Sequence, residues 1–191
     1  MTEHSANNPI EGVLVRELKP NIDHRGELVE IYREQWGSGW RALQFNAVFS
    51  KPNVLRGVHV HATHHDYVVL IEGRMLLGLH DMRPASPTAR QSSLREYKGQ
   101  ARWGVVIPPG VAHGFYFMEP SVLLYGLARA WDQTDEFLCR WNAEELGLSW
   151  PTRNPILIER DAVAPDYASC CADFEKVWVR LQEARTARSP V

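Results

Sequence analysis

The sequence RGVHVHATHHDYVVLIEG, residues 56–73, holds four of the protein's eight histidines. His59 and His61 lie two residues apart in a run that favours β-structure. Because side chains alternate faces along a strand, both imidazoles point to the same side of a sheet. Asp66 follows them, and Gly73 closes the segment. This pattern predicts a strand with two histidines on one face, followed by a carboxylate and a turn.

A second motif, PPGVAH at residues 108–113, is a Pro-x-Gly turn that brings His113 to the start of another strand. Together the two motifs resemble the paired motifs of the cupin superfamily. That resemblance implies that the polar side chains lie inside one small β-barrel. The alternative interpretation is that these histidines are surface residues of an ordinary β-sandwich.

The composition indicates one domain of a globular protein. The 191 residues are 45% hydrophobic and 23% charged, with a net charge of −2 and no basic stripe. We therefore expect neither nucleic acid nor a membrane as a partner. No apolar run approaches the roughly 20 residues that span a bilayer. The three cysteines form no disulfide framework, and the N-terminus lacks a signal-peptide pattern, so we expect a cytoplasmic location.

Many short strands between turn signals predict an all-β fold, a cupin-like jelly-roll barrel with a short C-terminal helix. We expect a disordered lead at residues 1–11, the barrel domain at 12–168, and an amphipathic helix and tail at 169–191. A turn cluster is predicted at 20–26, and a one-turn helix with an Asn142 N-cap at 142–147. Strands are predicted at 12–18, 27–32, 43–49, 54–61, 67–71, 74–80, 92–97, 103–107, 114–118 and 122–128.

Further segments, in one fixed order, narrow the resemblance to the sugar-nucleotide epimerases typified by dTDP-4-dehydrorhamnose 3,5-epimerase. These segments are DHRG (23–26), QFN (44–46), NVLRGVH (53–59), SPT (86–88), IPPGVAHGF (107–115), LLY (123–125), RWN (140–142), LGLSWP (146–151) and RDAVAP (160–165). The likeness covers roughly residues 12–168. It implies a homodimer that acts on a nucleotide-sugar substrate, in deoxysugar or polysaccharide biosynthesis, without a cofactor.

The resemblance also implies the roles of three residues in the inversion of a 4-keto sugar at C3, C5 or both. His59 matches the base, and imidazole suits that task because its pKa lies near neutrality. Asp161 matches the carboxylate that holds the imidazole. Tyr125 matches the acid that returns a proton from the opposite face.

A larger set matches the positions where the family contacts its substrate. Its members are Arg25, Glu30, Gln44, Asn46, Arg56, His113, Glu136, Arg160 and Trp131. Arginines bind pyrophosphate oxygens with two hydrogen bonds at once. There are alternatives for some of these residues. Arg25 and Arg160 could form surface ion pairs. Tyr125, Gln44 and Asn46 could be polar groups of the interior.

Two positions depart from the family. Asp66 stands where the family usually has a lysine, and His61 stands where it often has glutamine. His59, His61, Asp66 and His113 therefore form an alternative ligand set for one divalent transition metal, as in metal-dependent oxygenases or isomerases. A cupin that binds a sugar nucleotide without turning it over is a further alternative. His64 and His65 are interpreted as exposed loop residues.

Overall fold

The computed structural model describes residues 8–36, 41–130 and 135–188. The strands are β1 (Leu14–Glu17), β2 (Pro20–Asp23), β3 (Gly26–Val29), β4 (Gln44–Ser50), β5 (Val54–His61), β6 (Asp66–Glu72), β7 (Arg74–Asp81), β8 (Ser92–Lys98), β9 (Trp103–Ile107), β10 (Val111–Phe117), β11 (Ser121–Leu127) and β12 (Glu136–Leu138). The α-helices are α1 (Glu159–Ala162) and α2 (Tyr167–Arg188), and short 3-10 turns lie at Glu34–Trp36, Gly99–Ala101 and Glu144–Leu146.

Ten of these strands form two five-stranded antiparallel sheets. The first sheet has the order β1-β9-β6-β11-β4, and the second has the order β12-β5-β10-β7-β8. The segment that begins at Arg56 therefore contributes β5 to the second sheet and β6 to the first. This crossing between facing sheets is the jelly-roll arrangement that the sequence predicted.

The main core fills the space between the two sheets. Val68 and Leu70 come from β6, while Met75, Leu77 and Leu79 come from β7, and all five are at most 3% exposed. In β6 these residues alternate with Tyr67 and Val69, which are buried in a second apolar cluster on the other face of the strand. The fold is thus stabilised by apolar side chains from both sheets.

Helix α2 covers the outer face of the second sheet. Phe174 is fully buried against Val58 and Val60 of β5, and Trp178 stacks on Phe174 with ring centroids 5.4 Å apart. The helix thus packs its apolar face against this sheet. The helix begins at Tyr167, two residues before the predicted boundary at 169, and Asp166 caps it by accepting a hydrogen bond from the Ser169 N–H.

Three local predictions are wrong. Ile10, within the predicted disordered lead, is 1% exposed and packs in the main core, while residues 1–7 of that lead lie outside the described residues. The turn cluster at 20–26 is largely strand β2, which pairs with β3 around a turn at His24 and Arg25. The one-turn helix is capped by Ala143 rather than by Asn142, although Gly147 ends it at φ +61° as predicted.

Among the described residues, no helix is both long enough and apolar enough to cross a membrane.

Candidate active site

A cavity of about 540 Å³ opens between the two sheets. This volume suits a small-molecule ligand. Its polar lining comes from both sheets and from α1, while valine, leucine, isoleucine and phenylalanine side chains supply the rest. The polar lining residues are Arg56, His59, His61, Asp66, His113, Tyr125, Glu136, Arg160 and Asp161.

His59 is held between two carboxylates. Its Nε2 lies 2.9 Å from Asp161 Oδ1, and its Nδ1 lies 3.2 Å from Glu136 Oε1. The His59 side chain is 14% exposed, so the imidazole is shielded yet borders the cavity. Nε2 thus faces Asp161 and Nδ1 faces Glu136, so each ring nitrogen of His59 has a carboxylate oxygen as its neighbour.

Asp161 is positioned by the short helix α1 and by the backbone of β5. Its Oδ2 accepts a hydrogen bond from the Gly57 N–H at 3.1 Å, and the residue is 2% exposed. Burial raises the pKa of the Asp161 carboxyl, but the hydrogen bond and charge of His59, the Gly57 N–H and Arg160 lower this pKa overall. The carboxyl is therefore ionised at neutral pH and fixes the orientation of the imidazole.

Gly57 makes this geometry possible. Its φ is +118°, and a Cβ there would lie 2.8 Å from Gly114 Cα and from the His113 carbonyl oxygen. Only glycine combines this backbone conformation with such a close approach of β5 to β10. The site therefore depends on a glycine that stands two residues before its histidine.

Glu136 and Arg160 form a second charged layer around His59. Arg160 Nη1 donates to Glu136 Oε2, and Arg160 Nε lies 3.3 Å from Asp161 Oδ1. Arg160 Nη2 lies 3.2 Å from His59 Nε2. The predicted exposed ion pair of Arg160 is in fact partly buried, with the arginine side chain 34% exposed. The positive charge of Arg160 thus lies next to the negative charges of Glu136 and Asp161, beside the imidazole of His59.

Tyr125 faces the cavity from β11, in the sheet opposite to that of His59. Burial raises the pKa of the Tyr125 phenol most strongly, and the charge of Asp66 raises this pKa further. These two effects outweigh the charge of Arg56 and the hydrogen bond to Asn46, which lower the pKa. The phenol is therefore protonated at neutral pH. An imidazole and a phenol thus face one cavity from its two sheets.

The other predicted binding residues divide into three groups. Arg56 and His113 line the cavity with Glu136 and Arg160. Gln44 and Asn46 lie behind Tyr125 on β4, where Gln44 Nε2 donates to Asn46 Oδ1 at 3.1 Å, so they act as interior polar groups. Arg25 and Glu30 are exposed, pair with Asp23 and Arg33, and lie outside the cavity; Trp131 lies outside the described residues.

Three histidines and one carboxylate form a buried cluster beside the same cavity. His61, His64, Asp66 and His113 are each at most 6% exposed. Burial lowers the pKa of His61 and of His113 and raises the pKa of Asp66 to about 6. His59 is held apart by Asp161, so the predicted ligand set loses His59. His61, Asp66 and His113 remain together, and His64 lies in a second group with His61 and Asp135.

The interpretation of His64 as an exposed loop residue is wrong. The imidazole is 3% exposed, and its Nδ1 lies 2.8 Å from Asp135 Oδ2. Asp135, which sequence reasoning did not single out, also accepts hydrogen bonds from the Ala62 and Thr63 N–H groups. No periodicity marks either residue, because both lie in irregular segments that meet only in the folded chain.

The family model described as dTDP-4-dehydrorhamnose 3,5-epimerase matches residues 7–169. The dTDP-4-dehydrorhamnose 3,5-epimerase of Salmonella typhimurium is 32% identical over 166 residues, which are 82% of this chain and 91% of that protein. The dTDP-4-dehydrorhamnose 3-epimerase of Streptomyces niveus is 28% identical over 184 residues, which are 85% of this chain and 89% of that protein.

Solved structures share the fold over nearly the whole chain. The dTDP-6-deoxy-D-glucose-3,5-epimerase of Legionella pneumophila, crystallised with dTDP-4-keto-L-rhamnose, superposes with a TM-score of 0.83 at 25% identity. That match covers 91% of this chain and 97% of the Legionella chain. The cavity, the two sheets and the residues between them therefore lie within the matched region.

Proposed function

This chain belongs to the dTDP-4-dehydrorhamnose 3,5-epimerase family, and we propose that it inverts C3, C5 or both in a dTDP-linked 4-keto-6-deoxy sugar. The observation that supports this most strongly is the placement of His59 and Tyr125 on facing sheets of one cavity. Inversion at a carbon requires a proton to leave from one face and to return from the other. The family's names place such a reaction in deoxysugar and polysaccharide biosynthesis.

The chemistry begins with the acidity of the protons beside the ketone. A carbanion at C3 or C5 delocalises onto the C4 oxygen as an enolate. His59 Nδ1 takes the proton, and the Asp161 carboxylate stabilises the imidazolium through Nε2–H. Glu136 Oε1, 3.2 Å from Nδ1, adds a second negative charge beside that imidazolium. Both proton transfers are assigned to side chains.

Tyr125 then returns a proton to the opposite face of the carbanion. Its phenol is protonated in the resting site, and a strongly basic enolate carbon accepts a proton from a phenol readily. The phenolate that results recovers its proton from solvent. The two sheets put the residues on opposite sides of the cavity, and the resemblance to the epimerases assigns the base to His59 and the acid to Tyr125.

The nucleotide is assigned to the arginines at the cavity. Arg56 Nε lies 3.2 Å from Ser50 Oγ, which orients the guanidinium at the edge of the cavity. Arg160 lies at the same cavity, beside His59. Guanidinium groups match the oxygens of a pyrophosphate in shape and charge.

The test is conversion of dTDP-4-keto-6-deoxy-glucose by the purified protein, followed by proton NMR of the sugar. We expect new signals for the epimer at C3, at C5 or at both, with full conversion to equilibrium. His59→Asn should lower the rate by at least about 10²-fold, because it removes the general base. Absence of any epimer with the wild-type protein would refute the proposed function.

We also propose that the protein is a homodimer. Strand β4 is an edge of the first sheet, and the outward side chains on and beside it are apolar: Leu43, Phe45 and Phe49 are 62%, 48% and 76% exposed. An apolar edge strand is a surface for pairing with another chain. A second copy of the chain, related by twofold symmetry, would bury this apolar surface.

Light scattering should give twice the 21.8 kDa chain mass. Phe49→Lys should shift the protein toward the monomer, whereas Val179→Lys on α2, 48% exposed in the wild type, should leave the dimer intact. A wild-type monomer at micromolar concentration would contradict the dimer.

We further propose a cytoplasmic location. Cys139, Cys170 and Cys171 are all free thiols, which fits a reducing compartment. Cell fractionation followed by immunoblotting tests this location.

A further inference from the structure

The buried histidine cluster is organised around Asp66. The ring centroids of His61 and His64 lie 4.2 Å apart, and those of His61 and His113 lie 5.4 Å apart. All four residues are at least nine-tenths buried. Burial of so many titratable groups in one place costs stability unless they have partners. The proposed epimerisation uses none of these groups as base or acid.

The Nδ1 atom of each histidine is already engaged. His61 Nδ1 lies 3.0 Å from the Asp135 carbonyl oxygen, and His113 Nδ1 lies 3.2 Å from the Val111 carbonyl oxygen. A carbonyl oxygen can only accept, so Nδ1 carries the proton in both rings. His64 Nδ1 donates in the same way to the Asp135 carboxylate. In the tautomer that these contacts favour, each Nε2 is the ring nitrogen that can present a lone pair.

The three Nε2 atoms converge on the Asp66 carboxylate. Their distances to its oxygens are 3.8 Å for His61, 3.9 Å for His64 and 3.9 Å for His113. These distances are too long for hydrogen bonds. His64 Nε2 is buried with no hydrogen-bond partner at all. Three nitrogen lone pairs and a carboxylate thus face each other with no donor between them.

We propose that His61, His64, Asp66 and His113 bind one divalent transition-metal ion. The ligand atoms of His61, Asp66 and His113 lie within 4.8 Å of one another. A tetrahedral ion with bonds of about 2.1 Å holds its ligand atoms about 3.4 Å apart, so binding would draw these atoms together by up to about 1.4 Å from the 4.8 Å within which they lie. Imidazole nitrogen with one carboxylate suits zinc, iron or manganese in the divalent state.

The hydrogen bonds around the cluster match those of known metal sites. Ligating histidines donate their other ring N–H to a carboxylate or a backbone carbonyl, which fixes the tautomer and aims the ring. Asp135 supplies both kinds of acceptor, through its carbonyl to His61 and through its carboxylate to His64. The Asp135 carboxylate is fixed in turn by the Ala62 and Thr63 N–H groups.

The ion would lie at the wall of the reaction cavity, since His61, Asp66 and His113 all line it. The unmetallated Asp66 carboxylate would repel the negative charge that develops on the substrate's C4 oxygen. A divalent cation bound to Asp66 reverses that local charge and stabilises an enolate as a Lewis acid. This consequence for the reaction rests on the proposed function, whereas the metal site itself does not.

The first experiment is elemental analysis of untagged protein by inductively coupled plasma mass spectrometry. We expect about one equivalent of a transition metal per chain. Protein stripped with a chelator should then bind Zn²⁺ in calorimetry with a stoichiometry of one. Co²⁺ in its place should give the visible absorption of a cobalt ion with nitrogen ligands. A metal content near zero together with no Zn²⁺ binding by calorimetry would overturn the proposal.

Two variants assign the ligands. His64→Gln and Asp66→Asn each remove one ligand with little change in volume and should weaken Zn²⁺ binding at least about 10-fold. His24→Gln makes the same chemical change in an exposed turn and should bind Zn²⁺ as the wild type does. Circular dichroism confirms that each variant is folded. Wild-type affinity in both folded variants would overturn the assignment.

The outcomes separate this proposal from the proposed function. One bound metal with no epimerisation of any dTDP-linked 4-keto sugar would keep the site and refute the function. Epimerisation at the same rate by metal-free and Zn²⁺-loaded protein would keep the function and remove the Lewis-acid role.

Discussion

At the scale of single residues, the contact that the chemistry depends on joins His59 Nε2 to Asp161 Oδ1 over 2.9 Å. The carboxylate selects the tautomer whose Nδ1 lone pair can accept a proton. It also lowers the energy of the imidazolium that forms during proton abstraction. Asp161 is therefore a positioning residue that acts through His59.

Asp161→Asn should lower kcat by about 10²-fold or more, because the amide neither fixes the tautomer nor stabilises the imidazolium. The KM should change little, since the variant keeps the shape of the cavity. Steady-state kinetics on the dTDP-linked 4-keto sugar measures both constants. Asp161→Glu should restore part of the rate, and Asp173→Asn on the exposed face of α2 should have no effect on either constant. An equal loss in KM with kcat unchanged would count against the positioning role.

A second carboxylate, that of Asp81, should make the free energy of unfolding depend on pH. Burial raises the pKa of Asp81, but hydrogen bonds from Arg83, Ser86 and Thr88 outweigh it and lower the pKa to about 2. The unfolded chain titrates near pH 3.9. Because the folded pKa is the lower one, the ionised carboxylate stabilises the fold above about pH 4. This contribution, about 2 kcal/mol, is lost as the pH falls toward 2.

Asp81→Asn removes this titration and leaves a side chain of similar size. Urea unfolding at pH 6 should show the variant less stable than the wild type by about 2 kcal/mol. At pH 2.5 most of that difference should disappear. A difference in unfolding free energy that stays constant between the two pH values would contradict the role given to Asp81.

At the scale of elements, the backbone conformation of strand β5 positions residues of the candidate active site. Gly57 at φ +118° lets β5 approach β10 closely and presents its N–H to Asp161. Gly57→Ala should destabilise the protein by at least about 1 kcal/mol, because the new Cβ meets strand β10. Urea midpoints measure the loss.

Gly26 offers a matched control for Gly57. Its φ is +124°, and a Cβ there would meet nothing within 4 Å. Gly26→Ala shares the backbone strain and lacks the clash, so it should be the less destabilised of the two variants. Equal losses would mean that the close approach of β5 and β10 contributes nothing.

The strands that the sequence predicted best are those with one face in the core. Strand β5 has the predicted bounds, since its apolar residues alternate in the expected way. Strand β2 was missed because Pro20, Asn21 and Asp23 are turn formers and the whole strand is exposed. Strand β12 was missed because three residues carry no periodic pattern.

At the scale of the whole molecule, the jelly roll could be predicted because two motifs, some fifty residues apart, each place a histidine on a strand. The catalytic group also followed from the resemblance, and the structure brings His59 and Asp161 together. The metal cluster could not be predicted in full. His64 and Asp135 are 71 residues apart, and only the folded chain shows that they meet.

The two facing sheets carry the two residues to which the proposed proton transfers are assigned. His59 belongs to the second sheet and Tyr125 to the first, so the proposed reaction assigns proton removal and proton return to opposite faces of the sugar. Each step therefore has its own residue and can be blocked separately.

The central claim is tested by NMR of a dTDP-linked 4-keto-6-deoxy sugar incubated with the protein in D₂O. The wild type should place deuterium at C3, C5 or both, with inversion at the labelled carbon. His59→Ala should stop incorporation, whereas Tyr125→Phe should still exchange the proton from one face but yield no epimer. Deuterium incorporation by His59→Ala at the wild-type rate would contradict the assignment of His59 as the base.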